Sequence, residues 1–201
     1  SSLIFYGPPG TGKTTLATVI AQTTNSRFEM LNGVESNVAE IRDKIAQART
    51  WKNLRGETTI LFIDEIHRFN KAQQDVLLPH IERGTVRFIG ATTHNPYYYV
   101  NSPLTSRSQI FQLEPVSTED IVSVLNRAIS DEKNGLGNLS INAHKDALIH
   151  LAEKSDGDVR KALTALDLAA LTTPSDSQGI VQVDLSIAEE SIQRKAIVYD
   201  A

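Results

Sequence analysis

The 201-residue chain is 40% hydrophobic and 22% charged with a formal net charge of −4, an ordinary globular composition that suits one large domain or one domain with a small satellite. It has no cysteine, which excludes disulfides, thiol catalysis and zinc–thiolate sites and fits a reducing interior. The mildly acidic balance supplies no global basic field for nucleic acid, although a local basic patch is compatible with it; no apolar run is long enough for a bilayer, so a cytoplasmic protein with no membrane partner is expected.

Leu3–Tyr6 is an apolar run of strand length and leads straight into Gly7-Pro8-Pro9-Gly10-Thr11-Gly12-Lys13-Thr14, with Thr15 next. No signal peptide appears, and a core strand beginning so near the terminus points to a trimmed or a disordered beginning. The eight residues match the phosphate-binding loop pattern in full. Glycines let successive backbone N–H groups turn toward one point, and the helix predicted over Thr14–Thr23 adds its N-terminus, so the segment is suited to a polyphosphate. Lys13 is expected to neutralise the outer phosphates, Thr14 to ligate Mg²⁺ through its hydroxyl, and Thr15 to count among the nucleotide-binding residues.

Further strands are predicted at Phe28–Leu31, Ile60–Ile63, Val86–Ala91 and Gln109–Leu113. Several are nearly continuous in apolar residues, the pattern of strands covered on both faces. Helices lie between: Val38–Ala48, with Val38, Ile41, Ile45 and Ala48 on one face, and Lys71–Arg83, which ends at Gly84 and should be kinked or split by Pro79. Strands alternating with helices predict a doubly wound α/β domain.

The run Ile60–Ile63 ends in Asp64-Glu65. At the tip of a core strand beside the first, Asp64 can reach the magnesium shell and Glu65 can orient and deprotonate an attacking water. The nearest match to a guanine signature, Asn70-Lys71-Ala72-Gln73, lacks its aspartate, which favours ATP.

After Pro115 the pattern turns helical. Ser117 or Thr118 can cap a helix holding Ile121, Val124, Leu125, Ala128 and Ile129. Asn134–Asn138 reads as a loop, Asn142 as the start of a helix with Ala147, Leu148 and Leu151 inward, and Asp156 as the start of another with Val159, Leu163 and Leu166. A loop over Thr173–Gly179, a short strand Ile180–Val183 and a last helix from Asp184 complete the chain. The prediction is an α/β phosphate-loop core over residues 1–115 with a parallel sheet flanked by helices, and a small helical domain over 116–201.

Other residues invite functional readings. Tyr97-Tyr98-Tyr99 could stack on bases, but packing between core and neighbour is the expectation. Trp51 beside Lys52 and Arg55 reads as a solvated helix end. His144 and His150 are six apart, off a common helix face, which disfavours a metal site. His67 is expected to orient the loop after the paired acids.

With these residues in hand, the chain resembles the AAA+ ATPases of the clamp-loader-like branch. "GPPGTGKTTLA", "LFIDEIHRFNKAQQDVLLPHIERGTVRFIGATTHNP", "LTSRSQIFQLEPVSTEDI", "GDVRKALTALD" and "IQRKA" are most similar to the replication-associated recombination protein A family, also called maintenance of genome stability protein A, which includes the Werner-helicase-interacting protein. The resemblance implies an AAA+ core followed by a helical lid. It places the first sensor on Thr93, with Asn95 as rival, the arginine finger on Arg107, and the second sensor on Arg160, so that Lys13, Glu65, Thr93, Arg107 and Arg160 form the catalytic set. It implies ATP and Mg²⁺ as cofactors. Expected partners are forked, gapped or single-stranded DNA, replication and repair proteins, and further copies of the chain, as a tetramer in the full-length protein. A DNA-stimulated ATPase at stalled or damaged forks is the leading expectation, and a nucleotide-gated scaffold or a branch-migration motor the alternatives. Family members carry a segment before the phosphate loop and a C-terminal oligomerisation domain that this stretch lacks, and Pro103 and Thr105 depart from the family's usual residues.

Overall fold

A computed structural model describes residues 2–199, with side chains to Ile192. The chain divides into two compact units, one through Glu114 and one from Pro115.

The first unit is built on β1 (Ser2–Tyr6), α1 (Lys13–Thr23), β2 (Arg27–Asn32), α2 (Val38–Arg55), β3 (Thr59–Asp64), α3 (Lys71–Glu82), β4 (Arg87–Thr92), the short helices α4 (Pro96–Tyr99) and α5 (Ser102–Thr105), and β5 (Ser108–Gln112). The strands form one parallel sheet in the order β2-β3-β4-β1-β5. Alternate residues leave each strand on opposite faces, and both faces are covered. Ile4, Leu61, Ile63 and Phe88 join Ile41, Ile45 and Ala48 of α2 and Leu77 of α3 in one buried cluster. Phe5, Ile60, Phe62, Ile89 and Ala91 join Ala17 and Ala21 of α1 in the other. This is why the strands read as unbroken apolar runs.

All five predicted strands are present. The helix predicted to end at Ala48 continues to Arg55, where Gly56 in the left-handed region stops it. Trp51 therefore lies within α2, with the guanidinium of Arg27 4.2 Å and that of Arg55 4.6 Å from its ring centre. Pro79 does not split α3: its ring removes one ladder bond, while an Asn70–Gln73 capping box and the buried Leu77 hold the helix on either side.

The second unit comprises α6 (Thr118–Ser130), β6 (Ile141–Ala143), α7 (Lys145–Glu153), α8 (Val159–Thr172), β7 (Val181–Val183) and α9 (Leu185–Tyr199). Ile121, Leu125, Leu148, Leu151, Leu166 and Val183 lie in its core. Two expectations need correction here. Asn142 does not open a helix; it lies in β6, which pairs with β7 in parallel, and His144 precedes the helix. Asp156 does not cap α8 either. It sits at φ 54° in the turn before it, and Asp158 accepts the capping bond from Lys161 N–H. Asn142 is taken up by its pairing with Gln182 of β7, while before α8 two capping-type residues stand close together and local pattern does not say which one meets a free N–H.

Candidate functional site

The strands run parallel, so their C-terminal ends share one edge of the sheet. Tyr6 lies opposite Thr92 and Asn32 opposite Asp64, so the loop after β1, the end of β4 and the end of β3 stand side by side. β4 lies between β1 and β3. The expectation that Asp64 sits on a strand next to the first is therefore corrected: two strand spacings, roughly 10 Å, separate them.

The phosphate loop is shaped by its glycines. Gly10 and Gly12 hold φ 67° and 85°, conformations that strain other residues. Gly7 has no room for a side chain, since a Cβ there would lie 2.2 Å from the Leu113 carbonyl oxygen. Its N–H donates to Thr92 O at 3.2 Å, anchoring the loop to β4. Pro8 and Pro9 are exposed at the crest, and the Thr11 hydroxyl donates to Pro8 O at 3.0 Å. The Lys13 ammonium folds back over the loop and donates to Gly7 O at 2.9 Å and Pro8 O at 2.7 Å. α1 starts at Gly12 with no side-chain cap and no acidic residue in its first turn, so its N-terminal dipole is unopposed. Thr14 is partly exposed within that turn and Thr15 is exposed.

At the end of β3, Glu65 occupies the left-handed region at φ 52°, a conformation a glutamate adopts only where its surroundings impose it. Gly33 is one such constraint. Its N–H donates to Asp64 O at 2.8 Å, and a Cβ on it would lie 2.2 Å from Glu65 O. One carboxylate oxygen of Asp64 accepts from Glu65 N–H at 3.1 Å. Asp64 and Glu65 are both partly exposed at the same edge as the loop.

Between loop and acids lies a cluster that motif reading did not resolve. Thr92, 1% exposed, shares a hydrogen bond of 3.0 Å with His67 Nδ1, and its hydroxyl also accepts from His94 N–H at 3.0 Å. The rings of His67 and His94 are 4.3 Å apart, and Tyr99 meets His94 edge-on at 5.0 Å. Burial, then the neighbouring His94, holds the His67 pKa below its ordinary value. Thr93 is exposed just past the strand, its hydroxyl 3.1 Å from His94 Nδ1, while Asn95 caps α4 by accepting from Tyr97 N–H at 3.1 Å. Only the tertiary pairing of β4 with the 3₁₀ turn Ile66–Arg68 could reveal the Thr92–His67 link, because the two are 25 residues apart. Of the three tyrosines expected to pack, Tyr99 does so within the chain, against His67 and His94. Tyr97 and Tyr98 are 70% and 83% exposed, since a four-residue helix buries only the face that carries Pro96.

Arg107 is not gathered with these residues. It precedes β5, whose Ser108 pairs with Ser2, and so stands at the N-terminal edge of the sheet, a five-residue strand or roughly 16 Å from the phosphate loop. There it bonds Glu82 at 2.9 Å and the Pro103 carbonyl oxygen at 3.0 Å. Pro103 thus falls in the first turn of α5, where its ring is tolerated, and presents its carbonyl to the guanidinium. Gln74, 2% exposed, ties α3 to this segment by donating to Tyr99 O and accepting from Asn101 N–H. Arg160 belongs to the second unit, exposed in the first turn of α8.

The residues fit a nucleoside triphosphate and a hard divalent cation. A side-chain-free cradle, a lysine and an uncapped helix N-terminus suit phosphates, and a hydroxyl and a carboxylate offer the oxygen donors Mg²⁺ prefers. Among the described residues no group of three or more His, Asp or Glu converges on one point, nor does such a cation, completed by phosphates, need one.

A parallel sheet with a glycine loop after β1 and paired acids after β3 defines a phosphate-loop nucleotide-binding fold. The model of the ATPase family associated with various cellular activities (AAA) matches residues 3–116, and that of the AAA C-terminal domain matches 137–201. The chain belongs to the AAA ATPase family. Within it, the resemblance to replication-associated recombination protein A holds. The Bacillus subtilis protein of that name is 44% identical over 200 residues, covering 100% of this chain and 46% of that protein. The Escherichia coli K12 protein is 49% identical over 178 residues, covering 89% and 40%. Among solved structures, the Thermotoga maritima RuvB Holliday junction branch migration motor superposes with a TM-score of 0.72 at 28% identity, covering 96% of this chain and 61% of that one. The chain spans less than half the length of these two curated relatives. No helix among the described residues is long and apolar enough to cross a membrane.

Proposed function

We propose that this chain is the ATPase core of a protein that acts on DNA at stalled or damaged replication forks, cleaving ATP between subunits of a homo-oligomer. The observation that carries the reading is the separation of Arg107 from the phosphate loop of its own unit: at the far edge of the sheet it is out of reach of its own nucleotide, which supports a role toward a neighbour's. Gly7, Pro8, Pro9, Gly10, Thr11 and Gly12 wrap the phosphates, with Thr15 beside them. Lys13 leaves the loop carbonyls for the β- and γ-phosphates. Thr14 and Asp64 would hold Mg²⁺, which supplies charge neutralisation at the leaving phosphates. Glu65 accepts the proton of the attacking water as its oxygen bonds to the γ-phosphorus and the bond to the β–γ bridging oxygen breaks. Thr93 contacts the γ-phosphate or that water as first sensor. Arg107 of the adjoining subunit stabilises the charge on the transferring group, a role worth roughly 10³–10⁵ in rate where fingers have been measured. Arg160, from the helical lid of residues 116–201, responds to the nucleotide as second sensor.

The names of the relatives support the replication and recombination setting. In our reading DNA is the partner, the location is cytoplasmic or nucleoid in a bacterium or nuclear in a eukaryote, and the full-length protein is a tetramer. The test is the ATPase rate of the full-length protein with and without single-stranded, forked and gapped DNA, beside Glu65→Gln. Stimulation by DNA and loss of turnover with nucleotide still bound are expected; wild-type turnover in Glu65→Gln overturns the catalytic assignment. Mixing Lys13→Ala with Arg107→Ala subunits should restore part of the activity, and a stable mixed oligomer that restores none overturns the action across subunits. The likeness to the RuvB motor favours a second reading, branch migration, which preferential binding of four-way junctions over forks would distinguish. A nucleotide-gated scaffold would instead keep its cellular role when Glu65 is replaced.

A further inference from the structure

We infer that Glu82 is the positioning residue of Arg107: its carboxylate aims the guanidinium out of the sheet's N-terminal edge toward the nucleotide of an adjoining subunit. This rests on the proposed trans role of Arg107.

The contact is specific. Arg107 Nη2 lies 2.9 Å from Glu82 Oε1, while Nη1 donates to Pro103 O at 3.0 Å. Both arms of the guanidinium are thereby held, Nη2 by Glu82 and Nη1 by the Pro103 carbonyl with the Ser106 hydroxyl at 3.3 Å, and its plane is set with N–H donors to spare. The pair lines a cleft of about 540 Å³ together with Lys52, Arg87 and Ser2, so the guanidinium is held where another molecule could approach.

Glu82 has a rigid base. It is the last residue of α3, whose end is fixed by the Arg83 N–H bond to Pro79 O and by the left-handed Gly84. Lys52 from α2 donates to Gly84 O at 2.6 Å and clamps the same turn. A carboxylate there opposes the helix dipole, which favours a cation at a C-terminus. The local cost points to a role outside the helix, and Arg107 is the group it meets. Stabilising the fold does not account for the pair, because the two side chains are 46% and 50% exposed and such pairs contribute little. Holding an arginine in one direction matters instead for catalysis, where a displacement of about 1 Å costs up to roughly a hundredfold in rate.

The test uses the full-length assembled protein. Glu82→Ala and Glu82→Gln should lower kcat about ten- to a hundredfold with the KM for ATP, the oligomer mass and Tm unchanged. Glu82→Asp should recover part of the loss. Adding Glu82→Ala to Arg107→Ala should cost nothing beyond Arg107→Ala alone, since the two act as one unit. Mixed with Lys13→Ala subunits, whose Glu82–Arg107 pair is intact, Glu82→Ala subunits should regain activity. An unchanged kcat in Glu82→Ala while Arg107→Ala is crippled overturns this inference alone, and so does an additive loss in the double variant. Wild-type turnover in Arg107→Ala overturns the finger reading beneath it.

Discussion

Glu65 sits where a glycine would be more comfortable. A non-glycine residue in the left-handed region costs on the order of 1–3 kcal/mol, and here the catalytic candidate bears that cost. Glu65→Gly should therefore stabilise the first unit by about 1 kcal/mol in urea unfolding while turnover disappears. Gly33→Ala should act in the opposite direction. Its Cβ meets Glu65 O at 2.2 Å, so the turn must shift, and we expect a loss of about 1–3 kcal/mol with a fall in turnover at saturating ATP. His67 gives a pH signature. Its folded pKa lies below 6.5, chiefly through burial and then His94, so the unfolded state takes up the proton first. Its contribution is whole above pH 6.5 and is lost as pH falls from there toward the folded pKa. Urea midpoints for wild type and His67→Gln should converge as pH is lowered through that window; the slope due to His80, also depressed, should remain.

At the scale of elements, α3 connects the two ends of the sheet. It starts at the Asn70 cap just after the acidic turn and ends at Glu82 beside Arg107. The capping box satisfies two N–H groups, those of Asn70 and Gln73, so Asn70→Ala should cost about 1 kcal/mol by urea denaturation. Strands were legible in the sequence because burial on both faces leaves an unbroken apolar run, as in Ile60–Ile63. Helix starts were less so. Asn142 stands near a helix beginning but is claimed by strand pairing with Gln182, and of Asp156 and Asp158 only the second meets an N–H of the packed helix. Strand order was not legible at all. That β4 separates β1 from β3 follows from which faces and edges satisfy one another in three dimensions.

Across the whole molecule, each unit carries its own apolar core. Leu166→Ala, at a fully buried position of the second unit, should cost about 2–5 kcal/mol. The two cores share no residue, so amide exchange should lose its protection in 115–199 and keep it in the sheet of the first unit.

The sequence by itself determined which side chains the glycine loop and the acidic pair carry, and that each stands where a strand ends. Both motifs are made of residues adjacent in the chain, where a glycine, lysine or carboxylate at fixed spacing can do only a few things. Only the tertiary structure decided that Thr92 meets His67, that Gly33 braces Glu65, and that Arg107 leans on Glu82 at the edge away from its own loop. Each of those contacts joins residues 25 or more positions apart. Such pairings are set by strand register and helix packing, which depend on the whole core and not on any one stretch of it.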